Sequence, residues 1–210
     1  MGLDWNPGNR PIPGCEEEHD IIVSKLAKNW CWRRKGLIKR FQEISIPAFE
    51  TLKAPQVGFD ERATQWARER YREHNGEIKG TEKEYLETMR GYYVVDLVPP
   101  CDGLPKYSNS FAGYVEPFSF RAELLKDCEE IIGKEMLKGA FKIKTSREMM
   151  AYGKRLKDMA QRYALENKID LSELNTEDTE GMGSKLDVVM AAAKWCIFWG
   201  GKGHILEPFF

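Results

Sequence analysis

Apolar residues recur along this chain with a period near 3.6, and most of the stripes they form are bounded by helix start or stop signals. Between Cys15 and about Ile44 they fall at Ile22, Leu26, Trp30, Leu37, Phe41 and Ile44, which predicts helix with a break near Gly36. Asp60 stands where it can cap a helix with Ala63, Trp66, Ala67, Tyr71 and His74 on its inner face, ending at Asn75-Gly76. Thr81-Glu82-Lys83-Glu84 reads as a capping box, because the Thr81 hydroxyl and the Glu84 carboxylate can each satisfy an orphan backbone donor. The stripe that follows (Tyr85, Leu86, Met89, Tyr93, Leu97) predicts a helix up to Pro99-Pro100. YYVVDLV suits a short strand equally well, so a minor β element is allowed near 91–116.

From Ser119 the pattern returns at Leu124, Leu125, Cys128, Ile131, Ile132 and Met136. Thr145-Ser146-Arg147-Glu148 is a second capping box, leading into Met149, Tyr152, Leu156, Met159, Ala160 and Tyr163. Residues 184–199 are apolar around nearly the whole helix circumference, the mark of a central buried helix. The expected fold is mostly α: one irregular helical bundle over residues 1–210, with a buried C-terminal helix and an ordered Pro-rich N-terminal arm. That arm, residues 1–15, carries Pro7, Pro11 and Pro13, which lower the entropy lost on ordering, and Leu3, Trp5 and Ile12, which can hold it to the bundle. The tail GHILEPFF is expected to fold back through Ile205, Leu206, Phe209 and Phe210. A long loop spans residues 99–117, and loops of that length are often functional.

Composition narrows the class. The 210 residues are 42% hydrophobic, and the charges cancel to −1. Such a chain can build a core, and its surface as a whole is not made for nucleic acid. Five scattered cysteines, no CxxC pair and no signal peptide point to a reducing cytoplasm. The longest apolar run, VVMAAAKWCIFWGG, is interrupted by Lys194 and too short to span a bilayer, so no membrane partner is expected.

Candidate chemistry is sparse. From Lys25 to Arg40 there are seven basic residues and no acidic one, interleaved with Trp30 and Trp32. Cations neutralise phosphates or carboxylates and indoles stack, so Trp32, Arg33, Arg34, Lys35, Lys39 and Arg40 form the expected partner-binding set. Cys15 and His19 stand at i and i+4, a workable zinc pair. No second local pair completes it. Cys15 is therefore expected to be packed and His19 to lie at the surface, with no metal and no cofactor. Cys101 follows two prolines and precedes Asp102-Gly103, a turn-like setting for a nucleophile, but nothing in the sequence brings His19, His74 or His204 to it. GMGSK and WGGKGH do not meet the P-loop pattern and read as the start and end of the last helix. Asp187 and Lys194, two turns apart in that helix, either reach its rim or mark a polar pocket with Tyr93, Asp96, Tyr107 and Asn109. The function expected is non-catalytic recognition of a protein or other anionic partner through the basic, Trp-containing stretch, with nucleic acid less favoured. The alternative is a small-molecule-binding protein or enzyme with a pocket under the 99–117 loop, using Cys101, Asp102, Tyr107 and either Asp187 or Lys194.

Overall fold

The computed structural model describes residues 2–28, 34–73, 80–98, 118–174 and 181–210. In chain order its strands and α-helices are β1 (Asp4–Pro7), β2 (Arg10–Pro11), α1 (Glu16–Ala27), α2 (Arg34–Glu43), β3 (Ser45–Ile46), α3 (Ala48–Thr51), α4 (Glu61–Glu73), α5 (Glu82–Thr88), α6 (Glu129–Ala140), α7 (Ser146–Glu166), α8 (Met182–Gly201) and β4 (Leu206–Phe209). Short 3-10 helices cover Val95–Leu97 and Ala122–Cys128. The fold is mostly α, as the periodicity indicates. Contacts divide it into two compact units, residues 1–48 with 102–210 and residues 49–101.

The larger unit is organised by α7 and α8. The α7 start carries the expected capping box: Thr145 N donates to Glu148 Oε2 at 2.9 Å, and Glu148 N donates to Thr145 Oγ1 at 3.4 Å. Met149, Leu156 and Ala160 are fully buried on α7, as are Leu186, Val189, Ala192, Cys196 and Trp199 on α8. The helices approach closely at Gly153, where a Cβ would stand 2.7 Å from the Cys196 Cβ and 2.9 Å from the Ala193 carbonyl oxygen. The apolar stripe after Ser119 is buried except for the half-buried Leu124, and it falls in two helical forms, with α6 kinked at Gly133.

Both ends of the chain meet on this pair. β1 runs antiparallel to β4, from Asp4 opposite Phe209 to Pro7 opposite Leu206. Trp5 is wholly buried, its ring 5.3, 5.9 and 5.8 Å from those of Phe120, Tyr152 and Trp195. Its Nε1 donates to the Ala140 carbonyl at 2.8 Å, so the indole is satisfied inside the core. Gly8 passes so close to the tail that a Cβ would lie 2.5 Å from Ile205 Cγ1 and 2.7 Å from Glu207 Oε1.

α1 and α2 pack as a hairpin on the same unit, with β2 paired to β3 at its base. The helix break expected near Gly36 is not there: α1 ends at Ala27, and Gly36 lies inside α2. Gly36 is exposed with nothing within 4 Å of a notional Cβ, so it lowers helix propensity without stopping the helix.

In the smaller unit, Val57, Ala63, Ala67 and Val94 form a core flanked by Trp66, Tyr85, Leu86, Met89 and Leu97. Asp60 Oδ1 accepts from Arg62 N and Ala63 N at 2.8 and 3.2 Å, capping α4 as expected. The Thr81–Glu84 box is formed at the start of α5. That helix ends at Thr88 rather than running to Pro99, because Gly91 turns the chain at φ +83° and Gly91, Tyr92 and Val94 then bond the backbone of residues 55–57. The β element allowed for near 91–116 is seen, among the described residues, as one bridge between Tyr93 and Gln56.

Trp5→Ala removes the indole from the meeting point of both termini and leaves the Ala140 carbonyl unpaired. Urea denaturation of the variant is expected to show a loss of about 3–5 kcal/mol, and a loss below about 1 kcal/mol would refute this role for Trp5.

Candidate functional site

α1 separates its residues cleanly by face. His19, Ile22 and Val23 are buried and Leu26 is half-buried. On the opposite face, at steps of three and four, stand Glu17, Asp20, Ile21, Ser24, Lys25 and Lys28, all exposed except the half-buried Asp20. Acids at the start and lysines at the end suit the helix dipole, which gives this order a local physical reason. Together with Glu16 and the first turn of α7 (Thr145, Arg147, Glu148), this face lines an open trough of about 870 Å³. The trough is acidic towards the start of α1 and basic towards its end, the two poles lying about 12 Å apart at 1.5 Å per residue.

Two of the acids near the trough are already engaged. Glu16 accepts from Gly14 N at 3.1 Å, and backbone N–H groups hold its carboxyl below the usual range. Glu148 is held by Thr145 in the capping box.

α2 presents the basic stretch. Lys35 and Lys39 are exposed, Lys39 at 80% and only 3.9 Å from Glu43. Arg40 is used internally: its Nε and Nη2 each donate to Glu18 at 2.8 Å, and Nη1 reaches Glu43 at 3.5 Å. This fork holds the Glu18 carboxyl below its usual range. Trp32 and Arg33, and the Arg34 side chain, lie outside the described residues.

Beneath α1 the structure corrects one expectation. His19 is fully buried instead of lying at the surface, because its helix position falls on the face shared with Ile22 and Val23. It stacks on Phe41 at 4.9 Å, and neither ring nitrogen closes a hydrogen bond, although the Asn9 backbone lies near enough to favour the charged form. Burial outweighs that influence and the Asp20 charge, and lowers the imidazole pKa. Cys15 is a half-buried free thiol at the start of α1. Among the described residues no three His, Cys, Asp or Glu side chains converge as a metal-ligand set.

The other buried polar groups hold the fold. His204 Nδ1 lies 2.7 Å from the Gly8 carbonyl, its ring edge-on to Trp199 at 5.0 Å. Burial lowers its pKa to about 4, against the pull of the Gly8 carbonyl. Lys144 Nζ donates to the Gly139 and Lys142 carbonyls at the end of α6 and sits 4.4 Å over the Tyr152 ring. Burial brings its pKa down to about 8. Burial also pushes Cys128 up to about 12 and raises Cys196, so both remain thiols at neutral pH. None of these groups lines the trough.

Of the pocket residues read from the sequence, Cys101, Asp102, Tyr107 and Asn109 lie outside the described residues. Asp96 is exposed, 3.6 Å from Arg70. Asp187 and Lys194 are both exposed on α8, at the rim of the bundle. Sequence reasoning missed the trough and the contribution of Arg147 to it. The usable signal is the spacing of three and four between the charged residues of α1. Comparison of the chain with protein-family models, with curated proteins and with solved structures finds no match.

The buried histidine gives a pH dependence of stability. His204 titrates near 4 when folded against an ordinary value of 6.5, so it contributes fully above 6.5 and its contribution is lost as pH falls towards 4. That shift corresponds to about 3 kcal/mol. Glu207, whose carboxyl is raised by burial, acts the other way, favouring the folded state as pH falls through the carboxylate range. Thermal melts between pH 7 and pH 4 are expected to show a decline that His204→Gln makes shallower. An identical pH profile for the variant would refute the assignment.

Proposed function

We propose that this chain is a non-catalytic interaction protein that holds an acidic protein segment on the outer face of α2 and the basic stretch before it. The carrying observation is the exposed cationic face of α2, where Lys35 and Lys39 point to solvent and the first turn holds no acid. Trp32, Arg33 and Arg34 precede Lys35 in the sequence and supply an indole and two guanidinium groups, the side chains that most often anchor interfaces. Arg40 has a different part in this reading: its fork on Glu18 fixes the hairpin that presents the others.

The chemistry of the interior supports recognition over catalysis. His19 lies under Phe41, His204 is held to Gly8, Lys144 closes α6, and Cys128 and Cys196 are protonated by burial. The free thiols Cys15, Cys128 and Cys196 fit a reducing, cytoplasmic setting. No helix among the described residues is long and apolar enough to cross a membrane.

The test is fluorescence anisotropy with a labelled glutamate-rich peptide. Arg33→Glu/Arg34→Glu/Lys39→Glu is expected to weaken binding by about tenfold or more, with a melting temperature within about 2 °C of the parent, since surface changes away from packing cost little. Undiminished binding by this variant would overturn the proposal.

A further inference from the structure

We propose that the outward face of α1 is a self-complementary docking surface, and that its occupant is a second copy of this chain packed antiparallel across a twofold axis. The face is Glu17, Asp20, Ile21, Ser24, Lys25 and Lys28. Turned end for end about the midpoint between Ile22 and Val23, it maps onto itself: Glu17 opposite Lys28, Asp20 opposite Lys25, and Ile21 opposite Ser24. Each acid meets a base and each isoleucine meets the smallest side chain of the stripe. An isologous interface requires this self-complementarity.

The charges are spaced so that they cannot neutralise one another within α1. Ion pairs along a helix need a spacing of three or four. Glu17 has Asp20 and Ile21 at those spacings, and Asp20 has Val23 and Ser24; neither reaches a lysine. Among the described residues, Glu17, Asp20, Lys25 and Lys28 form no ion pair. Complementary charge therefore remains available to a partner with the opposite order of acids and bases. A parallel copy is rejected, because it would set Glu17 against Glu17 and Lys28 against Lys28.

Shape agrees with charge. Ile21 is 47% exposed at the centre of the face, an apolar side chain with water on its outer side. Ser24, one turn away, leaves the gap into which the Ile21 of a second helix can insert. The open trough beside α1, about 870 Å³, gives that second helix a place to lie, and Arg147 and Glu148 add one charge of each sign to its wall. This surface is distinct from the α2 face that is proposed to hold an acidic segment.

Sedimentation equilibrium of the full chain tests the inference. The parent is expected to dimerise, with about a tenfold weaker association when salt rises from about 0.1 M to about 0.5 M. Glu17→Lys/Asp20→Lys makes the face wholly basic and Lys25→Glu/Lys28→Glu makes it wholly acidic, so each variant alone is expected to be monomeric with an unchanged far-ultraviolet circular dichroism spectrum. An equimolar mixture of the two is expected to form a heterodimer, and the chain carrying all four changes is expected to dimerise again. A monomeric parent, either charge variant dimerising with itself, or a mixture that stays monomeric would each overturn the proposal. Glutamate-rich peptide binding, read on the parent and on the chain carrying all four changes, whose α1 faces are both neutral in sum, reports on the α2 face separately.

Discussion

The burial of Trp5 is the contact on which the larger unit depends. One indole brings the N-terminal arm against Phe120, Tyr152 and Trp195 and closes the last turn of α6 through the Ala140 carbonyl. Its backbone N–H and carbonyl both pair with Phe120 at 2.8 and 2.9 Å, so the residue is held by its main chain as well as its ring. Trp195 and Trp199 bury their indole nitrogens with no hydrogen-bond partner among the described residues, a cost that packing around them must offset. Seating Trp5 aligns β1 with β4 and brings Gly8 against Ile205 and His204. From there the chain runs through β2 into α1, so the position of the hairpin follows from the position of the arm.

The hairpin itself is held by two contacts of unequal weight. Arg40 and Glu18 are both about half exposed, and exposed ion pairs contribute about 0–1 kcal/mol. The bidentate geometry therefore sets orientation more than stability. The larger share comes from His19 stacked on Phe41, with Ile22, Val23 and Ile44 buried close by in the chain. A neutral imidazole suits that place because it packs as a flat, weakly polar ring. Its lowered pKa is a consequence of the packing and not a sign of catalysis.

What could be read from the sequence was local. Both capping boxes and the Asp60 cap need only residues three apart, and all three are present. The apolar circumference of 184–199 announced α8, while the exposure of Asp187 and Lys194 needed the depth of the helix in the bundle to be known. Long-range effects were not legible. Gly91 ends α5 because the chain bonds residues 55–57, and His19 is buried because the hairpin folds Phe41 over it. The basic stretch was conspicuous as composition, yet which of its cations are free depends on Glu18, 22 residues before Arg40. The α1 face drew less notice since two acids and two lysines in six positions look like an ordinary solvated surface.

The two outward faces of the hairpin differ in a way that suits the separate tasks proposed for them. The α1 face is neutral in sum and ordered in sign, which suits pairing with its own reverse. The outward α2 face is mainly basic, with Glu43 its one acid near Lys39 and Arg40, so it suits an acidic partner better than a second copy of itself. Pairing through α1, as proposed, would place two α2 faces on one particle without occupying either. An acidic segment able to span both would then bind its second site at a raised effective concentration, and its avidity would exceed that of one hairpin with no new contact. Modest individual cation contacts are sufficient in such an arrangement. The exposed lysines of α2, weak as single ion pairs, become adequate through repetition.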